Sequence, residues 1–254
     1  MAAVHGASAG VLYQTGFGAK EGYVQGDISG QLGWTTFPAA GVASVTFTPP
    51  AGGSGGALAF SGGGAGNPSN SARYAWPQAY GSAFEAASAA GEVVLTNSTS
   101  IYVASGSSST VRVGAATFDA TGTRFLTGFF VQANTGAVTL IAYSVSGGTV
   151  NNFIYNTGRS IALNAWTTIS TSWDRWTGRA SISFVSTTGA FSGGVNGASV
   201  GSIADETDFV SLNNNSTTAA TVFFDNLEVT TSVPAPGALS ILGLAGVFGS
   251  RRRR

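Results

Sequence analysis

The chain has 254 residues, 37 of them glycine, with 9% charged residues and no cysteine, a composition typical of a turn-rich extracellular β protein without disulfide bonds. Its 16 phenylalanines, 7 tyrosines and 5 tryptophans supply a substantial core and exclude a disordered chain. The formal net charge is zero, but four of the 11 basic residues are the terminal arginines. The rest of the chain has 7 basic against 11 acidic residues, a net charge of −4, and offers no basic patch for nucleic acid.

The first residues contain a pattern that precedes export cleavage. Ala7-Ser8-Ala9 before Gly10 matches the small-residue A-x-A site of secretory signal peptides, although no basic start and apolar run precede it. We therefore interpret residues 1–9 as the remnant of a signal peptide, and the alternative is an ordinary flexible terminus.

A first strand and a glycine-rich winding loop follow. Val11–Phe17 predicts a strand at a sheet edge. Glycines then recur every three to four residues between Glu21 and Trp34, which predicts a loop with left-handed backbone positions, closed onto the core by Trp34. The stretch resembles the opening of many bacterial secreted β-sandwich proteins, in which an acidic residue, an aromatic residue and a Gly-Gln-x-Gly-Trp turn recur.

The next part of the chain has weaker signals. Val42–Phe47 alternates as a strand does, and Pro49–Ala72 predicts a long glycine-rich loop that contains one short strand, Ala57–Ser61. Ala83–Ala90 is compatible with a helical turn or with a strand.

From Glu92 onwards strand patterns are dense, and the connections between them have the Gly, Asn, Ser and Thr chemistry of hairpin turns. The predicted strands are Val93–Leu95, Ile101–Ala104, Thr110–Val113, Arg124–Ala133, Ala137–Val145, Thr149–Tyr155, Trp166–Trp173, Arg179–Val185, Phe209–Leu212 and Thr221–Thr230. In Arg179–Val185, alternation predicts that Ala180, Ile182 and Phe184 face inward. We therefore predict an all-β fold, a two-sheet antiparallel β-sandwich of jelly-roll type over residues 10–231.

The second half of the chain also resembles a known family. Trp166, then Trp173-Asp174 with Thr177-Gly178, and finally Phe224-Asp225-Asn226-Leu227 look like the concanavalin A-like lectin/glucanase jelly roll, including its laminin-G-like group. The resemblance covers roughly Val138 to Thr230 and implies a curved sandwich whose last strand pairs beside the first. Galactose-binding-type jelly rolls of carbohydrate-binding modules are the alternative.

The residues exclude several kinds of catalytic site. His5 is the only histidine and precedes the expected cleavage site, so a mature chain has no Ser-His-Asp triad and no histidine metal ligand. Glycoside hydrolysis needs two carboxyl groups about 5 to 10 Å apart. Glu206 and Asp208 have a suitable spacing, but the polar run Asp205-Glu206-Thr207-Asp208 reads as a solvated turn. We expect no catalytic residues, and a glycan-active enzyme that uses Glu206 and Asp208 is the alternative.

A calcium site is predicted where the first and last strands meet. Ca²⁺ takes six to eight oxygen ligands from carboxylates, carbonyls and amides. Asp225 and Asn226 on the last strand, with Glu21 and Asp27 near the first, supply such oxygens. Related carbohydrate-binding jelly rolls hold a structural Ca²⁺ in this way, and Asp225 matches their last-strand acid. The alternative is that Asp225 accepts hydrogen bonds from nearby backbone donors.

Two aromatic groups are candidates for sugar binding, because sugars bind on exposed aromatic rings beside polar side chains. The first group is Tyr74, Trp76 and Tyr80, around Pro77. The second is Trp173 and Trp176, and the alternative for it is a hairpin tip held by contact between Asp174 and Arg179.

The end of the chain, 233–254, differs from the rest. Pro234 and Pro236 fix φ and remove two backbone donors, which ends the preceding strand. Residues 237–249 are uncharged, and a helix over them would rise about 20 Å, short of the bilayer core of about 30 Å. A basic cluster closes the chain, where the positive-inside rule places it in the cytoplasm. Its members are Arg251, Arg252, Arg253 and Arg254.

Pro234-Ala235-Pro236, the apolar segment and the arginine cluster together resemble the PEP-CTERM sorting signal of Gram-negative and related bacteria, in a variant with Ala235 in place of glutamate. The resemblance implies export, transient anchoring in the inner membrane, cleavage near the prolines by an exosortase-type membrane protease, and delivery to the cell surface or an exopolysaccharide matrix. A tail anchor that is never cut is the alternative. The sequence thus predicts an exported, non-enzymatic protein, structural or weakly carbohydrate-binding, with extracellular polysaccharide as a partner.

Overall fold

The computed structural model of the chain describes residues 10–39, 41–63, 72–122, 124–146, 149–212 and 216–234. The expected signal-peptide remnant at residues 1–9 and the sorting signal from Ala235 onwards, including Pro236 and the four arginines, lie outside the described residues. Residues 64–71 of the predicted glycine-rich loop lie outside them as well.

Sixteen strands and one α-helix make up the regular structure of the described residues. The helix α1 (Gly81–Ala89) follows the sixth strand. In chain order the strands are β1 (Gly10–Thr15), β2 (Gly26–Asp27), β3 (Thr35–Phe37), β4 (Ala43–Thr46), β5 (Ala57–Gly63), β6 (Ala72–Trp76), β7 (Val94–Val103), β8 (Arg112–Asp119), β9 (Phe125–Gln132), β10 (Ala137–Ser146), β11 (Thr149–Ser160), β12 (Trp166–Asp174), β13 (Ala180–Ser186), β14 (Gly189–Val195), β15 (Ala204–Leu212) and β16 (Ala219–Ser232).

The strands form two antiparallel sheets that pack face to face, which confirms the predicted β-sandwich of jelly-roll type. Eight strands of the first sheet run in the order β14-β13-β12-β7-β16-β5-β4-β2, and β1 pairs with β16 as its ninth. The second sheet has seven strands, in the order β11-β10-β9-β8-β15-β6-β3. The pairing of β1 with the last strand, from Gly10 opposite Thr231 to Thr15 opposite Leu227, is the arrangement that the jelly-roll resemblance implied.

The core lies between the sheets and is rich in aromatic rings. Phe209 of β15 stacks on Phe224 of β16 with ring centroids 4.3 Å apart, and Trp34 also stacks with Phe209, with ring centroids 6.0 Å apart. Trp34 is buried, so it closes the winding loop onto the core as predicted. The inward residues predicted for β13, namely Ala180, Ile182 and Phe184, are also buried.

The structure resolves the ambiguous region and adds strands that the sequence did not indicate. Ala83–Ala90 belongs to the helix α1 rather than to a strand. The strands β2, β3, β6 and β14 were not predicted, because they are short or rich in glycine and alanine and owe their extended shape to pairing with neighbouring strands. Within the described part of the chain, no helix has the length and hydropathy that a membrane crossing requires.

One prediction about the acidic run is wrong. Asp205-Glu206-Thr207-Asp208 is not a solvated turn but lies in β15, which pairs with β8 on one side and β6 on the other. The reason is tertiary. Thr207 is buried, and its hydroxyl bonds to the hydroxyls of Tyr80, at 2.8 Å, and Thr117, at 3.0 Å, so a polar residue is accommodated on the core side of the strand.

Candidate functional site

Glu206 and Asp208 point away from the core, onto the outer face of the seven-stranded sheet. Because Phe209 contacts the facing sheet, the adjacent side chain of Asp208 takes the opposite face. Glu206 pairs in register with Phe118 of β8, and Asp208 pairs with Ala116. Two carboxyl groups therefore lie two residues apart on one face of a strand interior.

Asp208 is unusual because its carboxyl group is buried without a full set of partners. Its side chain is 4% exposed, and its Oδ1 atom has no hydrogen-bond partner among the described residues. Burial, and then the charge of Glu206, raises the pKa of Asp208 well above its ordinary value. Burial, and then the charge of Asp205, also raises the pKa of Glu206. A buried polar atom without a partner costs about 1–3 kcal/mol, so Asp208 has an unmet hydrogen-bonding requirement on this face.

A row of aromatic rings crosses the same face from β6 to β10. Tyr74 contacts Phe118 with ring centroids 6.2 Å apart, Phe118 contacts Phe125 at 4.6 Å, and Phe125 contacts Tyr143 at 5.0 Å. Burial, and then the charge of Asp208, raises the pKa of Tyr74, so the phenol and the carboxyl group are electrostatic neighbours. These four rings, with Glu206 and Asp208, are called the outer-face site below.

Of the first predicted sugar-binding group, Tyr80 is buried in the core, so its prediction as a sugar contact is wrong. The other two residues border the outer-face site. Tyr74 belongs to it, and Trp76 lies two residues further along β6, on the same face of the sheet. Because Ala75 pairs with Phe209 in the antiparallel register, Trp76 lies directly opposite Asp208 on the neighbouring strand. The exposed ring of Phe37, which pairs with Tyr74 on β3, continues this apolar border.

The sequence reasoning missed the rings of β8, β9 and β10. Together with Ala116, Phe130, Ile141 and Val210, Phe118 and Phe125 form a second buried apolar cluster outside the main core. The guanidinium of Arg112 lies 5.9 Å from the Phe130 ring at one end of this cluster. The signal was present, because the middle of β8 and most of β9 are apolar on both faces, and such a run is typical of a strand that is covered on both sides.

The second predicted sugar-binding pair is not a platform. Trp173 is fully buried on the core side of β12, where its ring contacts Phe84 and its Nε1 donates to the Ala198 carbonyl at 2.8 Å. It cannot touch a ligand, and that prediction is wrong. Trp176 is 61% exposed in the turn after β12, where the Asp174 carboxylate accepts from its backbone N–H at 2.8 Å. The predicted hairpin tip is therefore present, with Asp174 bonded to backbone donors and its own N–H donating to the Arg179 carbonyl.

Three of the four predicted calcium ligands lie together. A Cβ atom added to Gly16 would lie 3.3 Å from Glu21 Oε1, 3.6 Å from Asn226 Oδ1 and 3.7 Å from Asp225 Oδ1, so three side-chain oxygens surround one point. Carboxylate and amide oxygens are among the ligands that a calcium ion takes. Both carboxylates already accept backbone hydrogen bonds, Glu21 from Gly16 and Asp225 from Asn226. Within the described ranges, no three His, Cys, Asp or Glu side chains form a group that could hold a metal ion.

Asp27 lies elsewhere and does not belong to this group. Its two carboxylate oxygens accept from the backbone N–H groups of Ser29, at 2.9 Å, and Gly41, at 2.8 Å. It therefore closes a loop, and its prediction as a cation ligand is wrong.

Comparison with known proteins finds no family model that matches the sequence and no match among curated proteins. Among solved structures, the chain is similar to the cellulose induced protein Cip1, with a TM-score of 0.50 and 9% identity over 89% of this chain and 100% of that one. It is similar to Domain 4 of AbnA, a GH43 extracellular arabinanase from Geobacillus stearothermophilus in complex with arabinotriose, with a TM-score of 0.48 and 14% identity over 93% of this chain and 99% of that one. It also matches the binding domain of botulinum neurotoxin DC in complex with SialylT, with a TM-score of 0.43 and 7% identity over 84% of this chain, and it spans only 46% of that chain. At 9% identity, the likeness to Cip1 shows a shared fold alone.

Proposed function

We propose that the protein binds a glycan at the outer-face site and does not transform it. The observation that carries this proposal is Asp208 Oδ1, a buried carboxyl oxygen without a partner among the described residues, on the face that also holds Glu206 and Tyr74. A sugar hydroxyl can donate to this atom or, where the carboxyl group is protonated, accept from it.

The aromatic rings around Asp208 suit the apolar C–H face of a sugar ring. Tyr74 and Tyr143 are half-buried and Trp76 is partly exposed, so each presents apolar ring surface beside a polar group. Ligand sites commonly combine such apolar walls with a few placed polar groups. The two carboxyl groups disfavour an anionic ligand next to them, so we propose a neutral glycan.

The experiment that tests this proposal separates binding from folding. In Asp208→Leu, a group of similar shape replaces the carboxyl group and removes the buried atom without a partner. We expect affinity for glycans identified on a neutral-glycan array to fall at least tenfold, while the melting temperature is retained or raised. Trp176→Ala, an exposed aromatic away from the site, serves as the matched control and keeps full affinity. Unchanged affinity in Asp208→Leu, or no binding by the unmutated protein, would refute the proposal.

A second candidate function is glycan hydrolysis, and the position of β15 favours it more than the sequence did. Glu206 and Asp208 share one face of a strand interior, and both have a raised pKa. A glycosidase requires one carboxyl group that is protonated as a general acid and a second carboxylate as nucleophile or base. Release of reducing ends from a neutral polysaccharide by the unmutated protein, and its loss in Glu206→Gln, would replace the binding proposal with this one.

We further propose that the protein is exported and sorted to the cell surface or matrix through the segment that begins at Pro234. The supporting observations are in the sequence: the Pro-Ala-Pro motif, the uncharged stretch and the arginine cluster. Intact-mass measurement of the protein recovered from its native cells tests the proposal. Cleavage near Pro234–Pro236 is expected, and a full-length tail in extracellular material would contradict it.

A further inference from the structure

A cavity of about 930 Å³ lies beside the first strand and shares no lining residue with the outer-face site. Its walls come from β1, from the turn after it, from the Leu32 loop and from β16 at Asn226–Glu228. The cavity forms because β16 changes partner there. Its first part pairs with β5 up to Phe224, its later part pairs with β1 from Leu227, and a bulge at Asp225–Asn226 separates the two. Its volume lies within the usual range of ligand pockets, about 300–1,000 Å³.

Backbone strain is concentrated around this cavity. Five described residues other than glycine have a positive φ, and three of them, Phe17, Leu32 and Asn226, lie in its wall or between two of its lining glycines. Asparagine tolerates this conformation, but leucine does so rarely. Leu32 has a φ of 46° and is 55% exposed, so no burial of its side chain compensates for the strain. Such outliers cluster at ligand sites.

The loop that presents Leu32 is held firmly. The side-chain amide of Gln31 accepts from the Val24 N–H at 2.8 Å and donates to the carbonyls of Val24, at 2.9 Å, and Asp27, at 2.7 Å. Leu32 is therefore fixed at the edge of the cavity before any ligand arrives. This lowers the entropic cost of binding, because the loop does not have to be ordered by the ligand.

The polar groups of the cavity are of mixed kind. The side chains of Gln14, Lys20, Asn226 and Glu228 line it and make no hydrogen bond or ion pair with any described residue, whereas Glu21 is already bonded to Thr15 and Gly16. The free groups include a cation, an anion and two amides, so together they can both donate and accept without favouring either charge. Tyr13 and Leu32 add apolar surface.

We propose that this cavity is a second ligand site, which takes a short neutral saccharide. Sugar hydroxyls donate and accept equally well, which matches the mixed polar groups, and the C–H faces of a sugar ring match Tyr13 and Leu32. A phosphate or uronate would meet Glu21 and Glu228 as well as Lys20, so an anion is disfavoured.

Gly18 allows a direct test. It lines the cavity, has an ordinary extended backbone with φ −81° and ψ 152°, and a Cβ atom there would meet nothing within 4 Å. Gly18→Leu therefore adds a bulky apolar side chain to the wall of the cavity, and its Cβ atom meets no clash. The experiment measures binding of cellotriose, maltotriose and mannotriose by isothermal titration calorimetry, with trigalacturonate as the charged comparison. EDTA is present throughout, so that no cation occupies the oxygens of Glu21 and Asn226, which line the cavity. All proteins carry Asp208→Leu, so that the outer-face site does not contribute.

At least one neutral trisaccharide is expected to bind, and Gly18→Leu is expected to weaken it at least tenfold. Ser183→Leu adds the same side chain at an exposed position of β13 and should leave binding unchanged. Absence of binding by all three neutral sugars, stronger binding of trigalacturonate, or an unaffected Gly18→Leu would overturn the proposal. Because the outer-face site is blocked throughout, failure here leaves the glycan-binding proposal for that site standing.

Leu32→Gly gives a second, independent readout. Glycine adopts a positive φ without steric cost, so the melting temperature should be retained or raised. Loss of the apolar edge should nevertheless weaken the trisaccharide at least threefold. If Leu32 only supported the fold, Leu32→Gly would give the opposite result, with a lower melting temperature and an unchanged affinity for the trisaccharide.

Discussion

Tyr80 and Thr207 share a hydrogen bond of 2.8 Å between their hydroxyl groups in the core, and the Tyr80 N–H donates to the Asp205 carbonyl at 2.7 Å. These two contacts join the start of α1 to β15 on the core side of the seven-stranded sheet. Thr207 lies between Glu206 and Asp208, so the bond fixes the strand from which both outward carboxyl groups project.

Tyr80→Phe should therefore lower the free energy of unfolding by about 1 kcal/mol, because Thr207 keeps its second hydrogen bond, to Thr117. Urea denaturation measures this change. Tyr102→Phe is the matched control, since the Tyr102 hydroxyl bonds to no described residue, and it should leave stability unchanged. Equal losses in the two variants would show that the Tyr80 hydroxyl does not anchor β15.

The pKa of Asp208 predicts how stability depends on pH. Its folded-state pKa is raised by burial, and then by Glu206, above the unfolded value of about 3.9. The folded protein therefore holds the proton more tightly, and this contribution to stability is present below pH 4 and is lost as the pH rises through the folded pKa. In urea denaturation experiments from pH 4 to 8, the free energy of unfolding should fall less steeply with pH for Asp208→Leu than for the unmutated protein.

Glu206→Gln should also reduce the slope of the unfolding free energy against pH, because the pKa of Glu206 is raised as well. Glu85→Gln, on the exposed side of α1, should leave the slope unchanged. An identical slope in Asp208→Leu and the unmutated protein would contradict the assignment of a raised pKa to the buried carboxyl group of Asp208.

Calcium binding, which we propose for Glu21, Asp225 and Asn226, should stabilise the fold. A ligand at 100 times its dissociation constant adds about 2.7 kcal/mol to the free energy of unfolding. Differential scanning calorimetry should show a higher melting temperature in calcium than in EDTA. Gly16→Ala should abolish the difference, because its methyl group would lie among the three oxygens.

Asp27→Asn is the control for this experiment. Asp27 closes a loop away from the three oxygens, so the calcium effect should persist in that variant. A melting temperature that does not respond to millimolar calcium in the unmutated protein would refute the cation site.

The two tryptophans at the end of β12 should respond in opposite ways. Trp173→Ala removes a fully buried ring and its hydrogen bond to Ala198, and should cost about 3–5 kcal/mol of unfolding free energy. Trp176→Ala removes an exposed ring and should change stability by less than about 0.5 kcal/mol. Equal losses, measured by urea denaturation, would contradict the placement of Trp173 in the core.

The all-β sandwich followed from the sequence because strand alternation and turn residues are local signals. Ala180, Ile182 and Phe184 could be assigned to the core from their spacing alone. The winding loop with Trp34, and the pairing of the first strand with the last, were also foreseen, the latter through family resemblance.

Only the tertiary structure shows which residues form the outer-face site. The run from Asp205 to Asp208 has the local character of a turn, and it is a strand because Tyr80 and Thr117 satisfy Thr207 from distant parts of the chain. Local sequence patterns also cannot show that Asp208 is buried or that Trp173 faces inward while Trp176 does not. They equally cannot show that Leu32 lies at the edge of a cavity. Alternation along a strand specifies two faces, but which face is covered, and by what, depends on contacts between residues far apart in the chain.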